Sequence, residues 1–303
     1  MFNAVMFHHF HGKKHPETIG SLSKKELYKI IKHLKKNYNL LNADQFLNKS
    51  KNNSLCAKDV CLTFDDNLKC QYDVAYPVLK KEKISAFFFI YSSIFDKKSN
   101  PMEVFRDFSN TKFKKIKDFH NLFFLTFEKL FEKKFLRYKK NYNGNYLKEY
   151  SFYSSSDRRY RFARDIILEK KEYEKVMTEM MVFKKYNVKK NHKKLFMSVK
   201  HLSTLIKNKN LIGLHSHNHN TNIKKMSQKQ QLSDYKKNFY FIKKYFGKKP
   251  LSASYPFGRY NSQTLKIMKH LGIRVAFLSK ENNKISNLKI GRIDHVNMIK
   301  KIK

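Results

Sequence analysis

Val60-Cys61-Leu62-Thr63-Phe64-Asp65-Asp66 sets the fold of this chain. Its first five residues are almost continuously apolar, as in a strand covered on both faces. Two adjacent carboxylates end the run. Neighbouring carboxylates repel unless a cation or a shared proton holds them. On an extended chain they point to opposite sides, so a turn must start there if both serve one pocket. A solvated turn is the plainer alternative, since Asp is common in turns.

The same pattern repeats outward from this stretch. Asn3–Phe7 is a predicted strand that runs into His8, His9 and His11. Ala86–Tyr91, Leu211–Leu214, Ser252–Tyr255, Val275–Leu278 and Lys289–Ile293 complete a set of seven. Helical patterns separate them. Ser23 and Glu26 form a capping box ahead of Leu27, Ile30, Ile31 and Leu34. Further helices are expected over 71–83, 199–207, 227–246 (with Gly247 as C-cap) and 261–271 (followed by Gly272). Strands alternating with helices imply a parallel sheet, open or closed into a barrel. The polar clusters follow strand ends: His8/His9/His11, Asp65/Asp66, His215/His219, Pro256/Arg259 and Asp294/His295. That placement is what the mouth of a barrel enzyme requires. Residues 96–195 break the rhythm and read as a mostly helical insertion, a lid or side subdomain, with one long helix over Ala163–Tyr186. The domains are therefore expected at 1–95 with 196–303, and at 96–195.

The chain has 303 residues, 41% of them hydrophobic, so it can bury a core. Its net charge is +41, with 56 Lys against 9 Arg. A phosphate-gripping surface would be expected to use more of arginine's bidentate fork. Abundant Lys, Asn, Ile, Phe and Tyr instead match A/T-rich codons. No helix-turn-helix, finger or RNP-like motif indicates a specific nucleic-acid partner. The charge implies at most weak association with anionic membrane surfaces. Cys56, Cys61 and Cys70 are odd in number and read as thiols of a reducing compartment. No apolar run approaches the ~20 residues needed to span a bilayer. The first residues lack the pattern of a secretory signal. The expected location is the cytoplasm, peripheral to the inner membrane face.

His215-Ser216-His217-Asn218-His219 carries the most chemical information. His215 and His219, four residues apart, can face one side of a turn. Neutral imidazoles suit zinc, cobalt, nickel or iron. With Asp66 they would make a two-His, one-carboxylate site with open positions for water and substrate.

Thr63-Phe64-Asp65-Asp66 resembles the first motif of the polysaccharide deacetylase family (the NodB-like carbohydrate esterases). His215-Ser216-x-x-His219 resembles its second motif, and Ser254-Tyr255-Pro256-Phe257-Gly258 is similar to a variant third motif. The resemblance covers about 1–95 and 196–297. It implies a distorted (β/α) barrel of about seven parallel strands. It also implies a metal-dependent hydrolase that removes acetyl from an N-acetylated sugar or glycan in cell-surface glycan or precursor-sugar biosynthesis. A phosphate-bearing substrate fits the basic surface. Asp65 would be the general base. Asp66, His215 and His219 would be the ligands of a divalent metal, with zinc first. Pro256 and Phe257 would border the oxyanion, and His295 would be the general acid.

Several positions depart from the family pattern. Position 67 is Asn where Gly is usual. The third motif lacks the leading Arg that pairs with the catalytic Asp, leaving Arg259 or Arg292 as substitutes. The chain has no Trp for the fourth motif. His295 lies in Arg-Ile-Asp-His rather than Leu-x-His. The competing functions are hydrolysis of another amide C–N bond and a non-catalytic carbohydrate-binding homologue. Retention of Asp65, Asp66, His215 and His219 weighs against the latter.

Overall fold

The computed structural model describes residues 1–18, 20–96, 101–148 and 153–302. They form two compact units, one from residues 1–100 and 193–303, the other from 101–192. Residues 97–100 and 149–152, which the expected insertion also includes, lie outside the described residues.

The first unit is a distorted (β/α) barrel. Its strands are β1 (Ala4–Phe7), β2 (Asn39–Leu40), β3 (Asp59–Phe64), β4 (Phe87–Ile90), β5 (Leu211–Leu214), β6 (Ser252–Ser254), β7 (Val275–Phe277) and β8 (Arg292–Asp294). Seven run side by side in the order β7-β6-β5-β4-β3-β1-β8, and β2 adds to β3. Every pairing is parallel. The ring nearly closes just before β8. Ile290 bridges Phe277 of β7, donating to Ala276 O and accepting from Leu278 N, both at 2.9 Å. Strand β2 is absent from the sequence expectation because two residues carry no periodicity.

Residue parity sorts each strand into two faces. Val5, Phe7, Leu62, Phe64, Phe88, Ile90 and Leu214 pack outward in one cluster with helix residues such as Leu27, Ile31 and Leu205. Ala4, Cys61, Phe87, Phe89, Val275 and Phe277 point inward, and Phe46 packs with them. The Phe87 and Phe89 rings lie 5.3 and 5.4 Å from Phe277. This apolar plug fills the N-terminal half of the barrel. The inward positions nearer the C-terminal ends of β3, β5, β6 and β8 are Thr63, Asp65, His215, Ser254 and Arg292, so the interior turns polar toward the C-terminal mouth.

Local signals place the helices. The Ser23/Glu26 capping box starts the helix Lys24–Asn37. Gly247, at φ 67°, ends the helix Gln228–Phe246. The segment after the paired carboxylates forms a π-turn, Gln71–Ala75, ahead of the helix Tyr76–Lys81.

The second unit is helical, with helices at Pro101–Thr111, Ile116–Leu130, Glu132–Asn141, Ser155–Phe162 and Lys170–Phe183. Phe105, Phe108, Phe119, Phe123, Phe127 and Phe135 form much of its buried interior. The single helix expected over Ala163–Tyr186 is two segments. A π-turn, Ala163–Ile167, ends at Leu168 in an extended conformation, and Glu169 then caps the next helix through a reciprocal bond with Glu172. The apolar stripe is continuous across the break. Periodicity alone could not show that a cap interrupts it.

Gly213 faces the plug. A β-carbon there would lie 2.5 Å from Ser252 Oγ and 2.6 Å from two Phe89 ring atoms. Gly213→Ala should therefore overpack the barrel and destabilise it by about 1–3 kcal/mol. Denaturant unfolding should show a lower midpoint at unchanged slope.

Candidate active site

Three loops at the mouth carry the site, and their backbone is unusual. Among the described residues, ten that are not glycine have positive φ, and five of them are Asp66, Asn67, Ser216, His219 and Phe257. Left-handed backbone is unfavourable for side chains with a β-carbon and clusters at functional loops. Here it has a geometric purpose. Strand β3 delivers Asp65 inward by parity. The left-handed step at Asp66 (φ 76°) lets the second carboxylate share that side. Asn67 (φ 55°) continues the turn, and Asn tolerates this region better than most residues. That explains how Asn stands where the family usually has Gly.

The loops are held from behind. Asn67 Nδ2 donates to Met197 O at 3.1 Å, and Met197 N returns a bond to Asn67 O at 3.0 Å. Gln71 Nε2 donates to the carbonyls of both Asp65 and His8, tying the ends of β3 and β1 together. The His215 loop rests on the helix Gln228–Phe246. Asn238 Oδ1 accepts from His215 N at 3.0 Å, and Asp234 accepts from the backbone of His217 and Asn218 at 2.9 and 3.2 Å. Asp234 and Asn238 are polar residues, four apart, on a buried helical face. That pattern was visible in the sequence as polar interruptions of an apolar stripe.

Asp66, His215 and His219 come together. Asp66 Oδ1 lies 3.4 Å from His215 Nε2 and 3.2 Å from His219 Nε2. These ligand atoms all fall within 4.8 Å of one another. Asp66 Oδ1 is buried yet makes no hydrogen bond. His215 Nδ1 sits 2.8 Å from Ser254 O, which requires the proton on Nδ1 and turns the Nε2 lone pair toward Asp66. Two imidazole nitrogens around an unsatisfied carboxylate oxygen fit a divalent cation. Burial would raise the Asp66 pKa, but in the absence of a metal the positive charge of protonated His219, His215 and His8 outweighs it and holds the carboxyl well below its ordinary value.

Asp65 faces a different partner. Arg292 NH1 and NH2 donate to Asp65 Oδ1 and Oδ2 at 2.9 and 2.8 Å, a bidentate pair. Ser254 Oγ accepts from Arg292 at 2.8 Å and donates to Asp65 Oδ2 at 3.0 Å. Arg292 also donates to Thr63 Oγ1 at 3.2 Å and to Leu278 O. Burial alone would raise the Asp65 pKa. The Arg292 charge and hydrogen bonds, with His215 nearby, hold it below the usual range. Of the two arginines left open by the sequence, Arg259 is instead bonded to Thr221 O at 2.8 Å and Asn222 Oδ1 at 3.3 Å.

The remaining sequence candidates divide. Pro256 is buried, and Phe257 (φ 54°) is half-exposed with its ring 6.0 Å from that of His219. His295 is not brought to Asp65 or Asp66. Arg292 and Asp294 share the inward parity of β8, and His295 is out of phase with them. Its ring stacks on outward-facing Phe7 at 5.8 Å, and its two nitrogens contact Met6 O at 3.1 Å and Gly20 O at 2.7 Å. His8 has the inward phase of Ala4 and Met6, and its Nε2 lies 3.9 Å from Asp66 Oδ2. Burial holds the His8 pKa below its ordinary value, against the pull of Asp66 and Asp65.

The polysaccharide deacetylase family profile matches residues 52–114 and 172–276, more than half of the chain. The chain belongs to the polysaccharide deacetylase family. The matched segments include β3 with Asp65 and Asp66, and β5 with His215 and His219. Among solved structures, the Streptococcus pyogenes deacetylase PplD in complex with acetate is similar at 16% identity and TM-score 0.57, over 100% of this chain and 98% of that one. A de-N-acetylase from Aggregatibacter actinomycetemcomitans gives 17% identity and TM-score 0.56 over 99% of both chains. IcaB from Ammonifex degensii gives 13% and 0.55, over 96% of this chain and 89% of that one. At these identities the likeness establishes the fold alone. No curated protein matches.

The ion pair gives a stability test with a definite sign. The Asp65 pKa is lowered in the fold, so the pair contributes fully above about pH 4 and its contribution is lost as pH falls through the lowered folded value. Arg292→Met should cost about 3–5 kcal/mol near neutral pH, because it leaves a buried carboxylate unpaired. Adding Asp65→Asn should recover part of that loss and flatten the acid limb. Urea unfolding as a function of pH reads both effects.

Proposed function

We propose that this polysaccharide deacetylase is a metal-dependent N-deacetylase of a phosphate-bearing sugar, acting in the cytoplasm or at the inner membrane face in glycan-precursor synthesis. The single observation that carries the reaction is the pairing of two differently held carboxylates: Asp65 on Arg292 and Ser254, Asp66 on His215 and His219. One is kept ionised with a lone pair to spare. The other is presented with two imidazoles as a ligand set.

A divalent cation, zinc first, held by Asp66, His215 and His219 would polarise the acetyl carbonyl and the attacking water. Asp65 takes the proton of that water. Its Oδ1 accepts one bond from Arg292, which leaves it a further lone pair. Arg292 and Ser254 fix the carboxylate's plane, so the base is oriented before substrate arrives. The backbone at Phe257, in its left-handed conformation beside His219, borders the developing oxyanion. The C–N bond then breaks, and the amine nitrogen must take a proton. His8 is the better-placed acid. It lies beside Asp66, whereas the ring nitrogens of His295 are occupied by two backbone carbonyls.

Acetate release from an N-acetylated sugar, followed with elemental analysis, tests these roles together. Asp65→Asn should lower kcat about 100-fold or more and keep the metal. His215→Ala should lose metal and activity together. His8→Gln should lose turnover with the metal retained, and His295→Gln should act mainly on stability. Metal loss in Asp65→Asn with retention in Asp66→Asn would reverse the two carboxylate assignments.

The substrate class rests on charge. The chain carries +41, so long-range attraction favours phosphorylated sugars over neutral oligosaccharides at low salt. An N-acetyl sugar bearing phosphate should show the higher kcat/KM, and the advantage should shrink as salt rises. Equal efficiency on a neutral oligosaccharide at low salt would point to a polymer substrate.

A further inference from the structure

The helical unit, residues 101–192, carries a surface that the reaction does not use. Two of its segments meet there. Lys112-Phe113-Lys114-Lys115-Ile116-Lys117 leads into the helix Ile116–Leu130. Val182-Phe183-Lys184-Lys185 ends the helix Lys170–Phe183, and Lys189 and Lys190 follow in the next helix. The Lys184 ammonium lies 5.1 Å from the centre of the Phe113 ring. Phe108 joins the segments from beneath, 5.3 Å from Phe113 and 5.4 Å from Tyr186. The two segments and the start of the next helix carry eight lysines, with Asp118 and Glu179 as the exposed acids of the same stretches. Among them Ile116 is 47% exposed, and Val182 and Phe183 are each 69% exposed.

In a chain with 56 lysines, a lysine cluster alone says little. The apolar side chains say more. Val182 and Phe183 are the most exposed large hydrophobics among the described residues, and they are adjacent. Ordinary solvation gives no reason to keep a Val-Phe pair in water between lysines. A bilayer surface with anionic lipids suits both halves of the patch. Ammonium groups meet lipid phosphates while Ile116, Val182, Phe183 and the lysine stems enter the headgroup–acyl boundary. A nucleic acid would favour Arg and offers nothing to Ile116 or Val182, and neither segment contains Arg. A second copy would set eight lysines against eight.

We propose that this patch docks the protein peripherally on bilayers containing anionic phospholipid. Co-sedimentation of the whole chain with phosphatidylcholine vesicles, with and without phosphatidylglycerol, tests it. Vesicle binding is read without substrate, so its outcome is independent of the deacetylase reading. Binding should require phosphatidylglycerol and weaken with salt. Val182→Ser with Phe183→Ser should weaken it about tenfold or more at an unchanged melting temperature. Lys189→Glu with Lys190→Glu should weaken it by a similar factor or more, each lost lysine counting for about fivefold. Equal binding to pure phosphatidylcholine, or undiminished binding by the Val182/Phe183 variant, would overturn the proposal. So would an oligonucleotide that displaces the vesicles and is held equally by that variant. A dimer that the same two substitutions abolish would make the patch a self-association face instead, and would overturn it too.

Discussion

A buried ion pair organises the mouth of the barrel. Asp65 leaves the end of β3, Arg292 enters from β8, and Ser254 reaches their shared oxygen from β6 on the other side of the ring. A charged pair taken out of water is costly unless its geometry is complete. Here the guanidinium bonds the carboxylate at both oxygens and places its other protons on Thr63, Ser254 and Leu278. Ser254 couples this pair to the other half of the site, since its carbonyl fixes the His215 ring. Asp65 and His215 therefore share one support, the side chain and carbonyl of Ser254. A small displacement of β6 would disturb both.

The barrel also explains why strained backbone gathers at one end. The N-terminal half is filled with phenylalanine and cannot yield. The loops that leave the C-terminal half must turn sharply to aim side chains back over the ring. Five left-handed residues make those turns, and buried amide and carboxylate groups such as Gln71, Asp234 and Asn238 keep them from relaxing.

Much of this was legible in the sequence because its signals are local. Apolar runs gave the seven main strands, caps gave the helix ends, and Asp66, His215 and His219 follow strand ends directly. Arg292 was harder. Its meaning depends on a partner 227 residues away, and it could be separated from Arg259 only by knowing which strand faces inward at which phase. The surroundings of His295 were hidden for the same reason. It stands one residue past the inward-facing Asp294, and its ring packs on Phe7 with its ligand nitrogen within 4.8 Å of those of His8 and Asp294. His8 has the inward phase, and extending the parity of Ala4 and Met6 would have singled it out. Ser254 gave no signal of its own, because a serine in a short strand is chemically mute until its neighbours are known.

Closure of the ring has a consequence for the chain during its synthesis. Strand β1 pairs with β8, and Ala4 meets Arg292 across a separation of 288 residues. At about 5–20 residues per second, β1 waits roughly 15–60 s on the ribosome before that neighbour exists. Through that interval one edge of an apolar strand is open to foreign pairing. The excess of lysine gives every nascent copy the same sign and keeps copies apart. A charge that does little for the finished fold thus protects the unfinished one.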